Sequence, residues 1–217
     1  MIVHYNKVDK DFFLQHAKNL IEKNFDLIAP YFITRSDVFK ELVVKIHEVN
    51  SCLIFDCFSA SISLTNHILE RLLKISLVYN ETGLGQVRMR DINNHFGPAH
   101  NKYQSEDLYK TINLCCSAGL ITKEHKKYLN DEIREKLRNG FSHSDPNKML
   151  KNDIFVWNDK SITTDVRLDP LIQSTLMYNL AQEQALPYFQ YIVGLIIHIE
   201  KVLIENDRKR KNKDANL

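Results

Sequence analysis

The sequence predicts an all-α fold, an up-and-down helical bundle with peripheral helices and one small β-hairpin. Three observations predict it. Apolar residues recur at intervals of three and four over most of the chain, the period that lines one face of a helix. Start and stop residues punctuate that pattern: Asp9, Ser36, Ser105, Thr122 and Asp169 stand before apolar runs, and Gly119 and Gly140 stand after them. Only 153–166 departs from it, with the β-prone runs Ile-Phe-Val-Trp and Ser-Ile-Thr-Thr on either side of Asn158-Asp159-Lys160.

Taken in order, 9–28 carries Phe13, Ala17, Leu20, Ile21, Leu27 and Ile28 at helical spacing, and Pro30 ends it. Ser36 and Asp37 open a second helix with Val38, Leu42, Ile46 and Val49 on its buried face; Asn50 and Ser51 break or kink it. Residues 52–79 are strongly helical and offer Phe58, Ile62, Leu69, Leu72, Leu73 and Ile75 to the core. Ser59, Ser63, Asn66, His67 and Glu70 form a polar stripe on that helix, which reads as a solvent face or as the wall of a site. Residues 80–104, rich in Gly, Asn and Pro, read as a connector. Ser105 caps a helix over 106–118 that ends at Gly119, and Thr122 caps the next, which runs to about Asn139. In the hairpin, Trp157 covers the core or stacks on a base. Asp169 and Pro170 start a helix to 185, where a proline at the first position is at home. Pro187 marks a break, and 188–206 is apolar on nearly every side, suited to the bundle centre or to a subunit interface. The chain reads as one domain, 1–206, followed by a basic tail, 207–217, expected to be disordered.

The chemistry concentrates in 131–145, DEIREKLRNGFSHSD. Leu129, Ile133 and Leu137 make one apolar stripe, and Gly140 reads as the stop that follows the helix. Arg138 and Asn139 then occupy the last turn, with His143 just beyond the break. A guanidinium grips a phosphate through parallel charge-assisted hydrogen bonds. An imidazole exchanges protons near neutral pH. Asn139 caps the helix or orients the substrate. No acidic cluster stands beside them, so neither a divalent metal nor another cofactor is implied.

Arg138-Asn139-Gly140-Phe141-Ser142-His143 resembles the hallmark of the HEPN superfamily (higher eukaryotes and prokaryotes nucleotide-binding domain): Arg, a polar residue, and His after four to six intervening residues. The lead-in DLYKTINLCCSAGLIT and the upstream LERLLK are similar to the usual HEPN layout, and the resemblance covers about 50–150. It implies a helical bundle and a metal-independent endoribonuclease, with Arg138, Asn139 and His143 catalytic, in a toxin or antiviral-defence setting. It also implies RNA as the partner, a homodimer, and an antitoxin or regulatory protein. Other members only bind, so the alternative is a non-catalytic module for RNA, nucleotide or protein. Glu70 on the polar stripe and Lys209 and Arg210 in the tail are the candidate RNA contacts. Relatives paired with a nucleotidyltransferase antitoxin carry Tyr two residues after the motif His; here that residue is Asp145, which argues against that subtype. A second match, Arg90 to His95, lies in the connector and lacks a helix leading into it.

Composition sets the remaining bounds. A net charge of +2 among 217 residues neither demands nor excludes nucleic acid. Four cysteines, Cys52 and Cys57 within one predicted helix and Cys115 beside Cys116, lack metal-ligand spacing and read as reduced thiols. The N-terminus lacks the basic start and apolar core of a signal peptide, and no apolar run is expected to reach membrane-span length. A cytoplasmic protein without a membrane anchor is the expectation.

Overall fold

The computed structural model describes residues 9–32, 36–143, 150, 155–157, 160–162 and 170–214. Asp145, Pro146, the Asn158-Asp159 turn, the Asp169 cap and the side chains of His143 and Trp157 lie outside the described residues. The architecture is all-α. Its helices are α1 (Lys10–Ile28), α2 (Lys40–Ile54), α3 (Phe58–Thr82), α4 (Ile92–Gln104), α5 (Leu108–Ser117), α6 (Lys123–Tyr128), a π-helical segment (Leu129–Arg138), α7 (Asn139–His143) and α8 (Pro170–Asp214). Phe155–Trp157 lies antiparallel to Lys160–Ile162, with Val156 opposite Ser161.

Helix α3 is the axis of the bundle. It packs against α8, α2, α4, α5 and the motif helix. Ile62, Ile68, Leu69, Leu72 and Leu73 are all fully buried, so more than one face of α3 is covered. Two of its buried hydroxyls bond within the helix, Thr65 donating to the Ser61 carbonyl at 2.7 Å and Ser76 to that of Leu72, while the Ser61 hydroxyl is buried without a partner among the described residues. Helix α8 supplies the opposing surface through Tyr188, Phe189, Ile192, Ile196, Ile199 and Leu203. The apolar density of 188–206 is therefore used by the core of the same chain.

Several boundaries differ from the sequence reading. Asn50 and Ser51 do not interrupt α2; the break falls at Asp56, the one described non-glycine residue with positive φ, 53°. Long-range contacts hold it there. Asn24 donates to the Ile54 carbonyl and to Asp56, both at 2.9 Å, and Lys23 pairs with Asp56 at 2.8 Å. Cys57 consequently precedes α3, and does not share a helix with Cys52. Asp107, not Ser105, caps α5, accepting from the Lys110 N–H at 2.7 Å. The expected connector contains α4, thirteen residues with Pro98 inside. Likewise α8 runs unbroken through Pro187. An interior proline costs about 3 kcal/mol. Both prolines lie on the exposed side, so the carbonyl each leaves unpaired has access to water, while Ala99 and Tyr103, or Tyr188 and Phe189, bury the opposite side.

Helix α1 is also corrected. Only Asn24 and Ile28 are buried on it, and Phe13, Ile21 and Leu27 are exposed, because α1 meets α2 and the turn that follows α1 rather than the centre. At the other end of the chain, 207–214 is helical rather than a loose tail. Asp207 accepts the Leu84 N–H at 3.0 Å, and Arg210 donates to the Asn80 and Glu81 carbonyls that end α3. Among the described residues α8 alone has the length and composition to cross a membrane, with a mean hydropathy of 1.3 in its most apolar window. That corrects the expectation that no run reaches span length; 44% of the window is buried inside the fold.

Gly83 joins these two ends. Its φ is +85°, and a Cβ there would stand 2.9 Å from Arg210 Nη1. Gly83→Ala is expected to lower stability by about 1–2 kcal/mol, from left-handed strain and a displaced helix cap. Urea denaturation checks it; an unchanged midpoint would contradict the packing described.

Candidate functional site

The motif helix begins with two local signals that the sequence displays. Gly119, at φ +71°, lets the chain leave α5, with Leu120 N–H bonded back to the Cys115 carbonyl at 2.9 Å and Gly119 N–H to that of Cys116. Thr122 then caps α6: its hydroxyl accepts from the His125 N–H at 3.2 Å, and His125 Nδ1 accepts from the Thr122 N–H. Leu129, Ile133 and Leu137 are buried against the bundle. Their strict four-residue spacing is wider than the 3.6-residue turn of an α-helix, and here the backbone adopts π geometry through Arg138.

Gly140 does not stop the helix. The chain continues as α7 to His143, and Gly140 is buried where α7 meets α3. A mid-helix glycine costs about 1 kcal/mol relative to alanine, and packing against α3 offsets it. Arg138 therefore lies at the π-to-α junction within one helix rather than at a turn of the backbone.

Arg138 donates through Nε to Glu70 Oε1 at 3.0 Å and through Nη1 to Asn139 Oδ1 at 3.1 Å. The Arg138 and Glu70 side chains are 31% and 33% exposed, so the pair is half-open to solvent and each partner is reachable. The structure thus brings together Arg138, Asn139 and Glu70 from distant parts of the chain. Within the polar stripe, Asn66 turns fully inward and accepts from the buried Tyr188 hydroxyl at 2.8 Å, Glu70 meets Arg138, and Ser59 and His67 face solvent. Burial raises the Tyr188 hydroxyl well above the usual tyrosine range, with the Glu70 charge adding to it.

A cleft of about 170 Å³ opens beside Arg138, lined also by Asp107, Tyr109, Arg134 and Asn139. Arg134 lies over the Tyr109 ring, 5.0 Å from its centroid, and pairs with Glu135. Sequence reasoning missed Arg134 and Tyr109. Arg134 precedes Arg138 by four residues, a helical spacing that places both guanidiniums on one side. Nothing local marks Tyr109, since α5 supplies it from outside the motif.

The other expected contacts lie elsewhere. Arg210 is occupied in closing α3, and the exposed Lys209 stands beside it on α8. In the second match, Arg90 is exposed and pairs with Asp91 at 3.7 Å, and the His95 ring lies against Phe96. Among the described residues no three His, Cys, Asp or Glu side chains are grouped to hold a metal ion.

Behind the motif helix, His125 and His198 stack edge-on with ring centroids 4.8 Å apart. Burial first, and the neighbouring His198 second, lower the His125 pKa from 6.5. A histidine whose pKa is depressed by folding takes up its proton more readily when unfolded. Its stabilising contribution is present above pH 6.5 and is lost as pH falls through the folded value. Thermal melts across that window should show His125→Gln, which keeps a capping-box side chain, losing less stability with acid than the parent. Parallel losses would contradict this.

No protein-family model, curated protein or solved structure matches the chain.

Proposed function

We propose that the protein is a metal-independent endoribonuclease of HEPN type, centred on Arg138. The observation that carries this reading is Arg138 itself. It is held at the junction of the π-helical segment and α7 by Glu70 and Asn139, and faces a cleft shared with a second arginine. π-Helical irregularities are frequent at functional sites, since they re-aim side chains at some cost in helix energy. Two guanidiniums beside an exposed tyrosine ring suit a phosphodiester and the base next to it.

In the proposed reaction the RNA 2′-hydroxyl attacks the adjacent phosphorus. The 2′-O–P bond forms, the P–O5′ bond breaks, and the products carry a 2′,3′-cyclic phosphate and a 5′-hydroxyl. Arg138 balances the charge that builds on the phosphate oxygens. His143 takes the 2′-hydroxyl proton or supplies one to the leaving oxygen. Asn139 orients Arg138, and Glu70 positions the same guanidinium rather than meeting the phosphate, which it would repel. A two-fold homodimer would bring a second Arg138 and His143 to complete the acid–base pair. The setting is a cytoplasmic toxin or defence protein controlled by an antitoxin or regulatory partner.

The second reading is a module that holds RNA, nucleotide or protein without cutting. The engagement of Arg138 with both Glu70 and Asn139 favours it, because a guanidinium already paired has fewer donors for a transition state. Incubating purified protein with RNA in excess EDTA separates the two. The first reading expects cleavage that His143→Ala removes. Complete loss with EDTA, restored by magnesium, would sink the metal-free mechanism; binding without cleavage in either buffer would favour the second reading.

A further inference from the structure

A second cleft, of about 160 Å³, lies between α2, α3 and α4. Aromatic and cationic side chains meet there. Phe96 and Tyr79 stand edge-to-face with ring centroids 6.2 Å apart. Both are half-buried and line the cleft. Arg71, Lys74 and His100 line the same space, with one carboxylate, Glu41. Among the described residues no carboxylate pairs with Arg71 or His100, and Lys74 donates to the Gln104 carbonyl at 2.7 Å with its remaining N–H groups uncommitted.

Arg71 is exposed and, among the described residues, free of a carboxylate, so its guanidinium keeps its planar donor fork for a phosphate beside the two rings. The volume is below the roughly 300–1,000 Å³ of pockets that enclose a drug-sized ligand. It therefore admits one ring system and leaves the remainder at the rim. The chemistry that fits is a nucleobase against Phe96 and Tyr79, a phosphate on Arg71 and Lys74, and Glu41 accepting from an exocyclic amine.

We infer that this cleft is a nucleotide-binding site separate from the Arg138 cleft, taking one base and its phosphate. The nucleotide is either a free nucleoside monophosphate or one residue of an RNA strand. The site stands whether or not Arg138 cuts RNA.

Calorimetric titration of the full chain tests it, with nucleoside 5′-monophosphates, the matching nucleosides, inorganic phosphate and a short single-stranded RNA as probes. The parent is compared with Arg71→Ala, Phe96→Leu and Arg138→Ala. Arg71 is exposed, so its loss leaves the fold intact even if the Phe96 variant is damaged. Binding of a monophosphate that weakens roughly tenfold or more in Arg71→Ala and Phe96→Leu, but not in Arg138→Ala, supports a free nucleotide. The same losses with RNA alone support a nucleotide within a strand. Binding of inorganic phosphate as tight as that of the nucleotide overturns the inference. So does an Arg71→Ala variant that binds every probe as the parent does, or a parent that binds none.

Discussion

Arg138→Ala is expected to lower RNA cleavage by about 10²- to 10³-fold, the usual loss when one preorganised donor to a developing oxyanion is removed. The fold should survive. The Arg138–Glu70 pair is one-third exposed, and ion pairs of that kind are worth at most about 1 kcal/mol. Glu70 separates positioning from contact with RNA. Glu70→Gln keeps an acceptor for Arg138 Nε and should retain most of the turnover, whereas Glu70→Ala should lower kcat with little change in KM. Steady-state kinetics of the three variants read this directly. Full activity in Arg138→Ala, with loss in an Arg90 or His95 variant, would move the chemistry to the 90–95 segment.

Leu72→Ala is expected to cost about 2–5 kcal/mol, because its side chain is wholly buried on the helix around which the bundle is built. Against a total stability of roughly 5–15 kcal/mol, that is a large fraction. For a chain of this size the melting temperature should fall by roughly 5–15 °C. The variant also bears on the site: α3 carries Glu70, so a loosened α3 should weaken catalysis in proportion to unfolding and not beyond it. Thermal melts and activity measured on the same samples test both statements. A shift under about 1 °C would mean that α3 is not the structural axis.

The sequence displays the parts of this fold that depend on neighbours along the chain. Gly119, the Thr122 cap and the stripe Leu129, Ile133 and Leu137 act within one or two turns, and each is found where its residue type places it. The discrepancies share a different origin. Gly140, Pro98 and Pro187 read locally as breaks, yet each lies inside a helix because tertiary burial outweighs a propensity cost of about 1–3 kcal/mol. Asp56 breaks a helix through bonds to Asn24 and Lys23, more than thirty residues earlier, which no window of sequence contains. Arg210 looks like a solvated cation but closes α3.

The candidate site divides in the same way. Arg138 and Asn139 were visible as a motif, and Glu70 as one of five polar residues on a helix. That Glu70, rather than Ser59 or His67, meets Arg138 follows from how α3 packs against the motif helix. Tyr109 comes from α5, and only the fold brings it to Arg134.

The most direct test of the central claim is the end chemistry of RNA cut by the purified protein in excess EDTA. The account predicts 2′,3′-cyclic phosphate and 5′-hydroxyl ends, formed about 10²- to 10³-fold more slowly with Arg138→Ala. Ends bearing a 3′-hydroxyl and a 5′-phosphate, or RNA left intact by a folded protein, would contradict it.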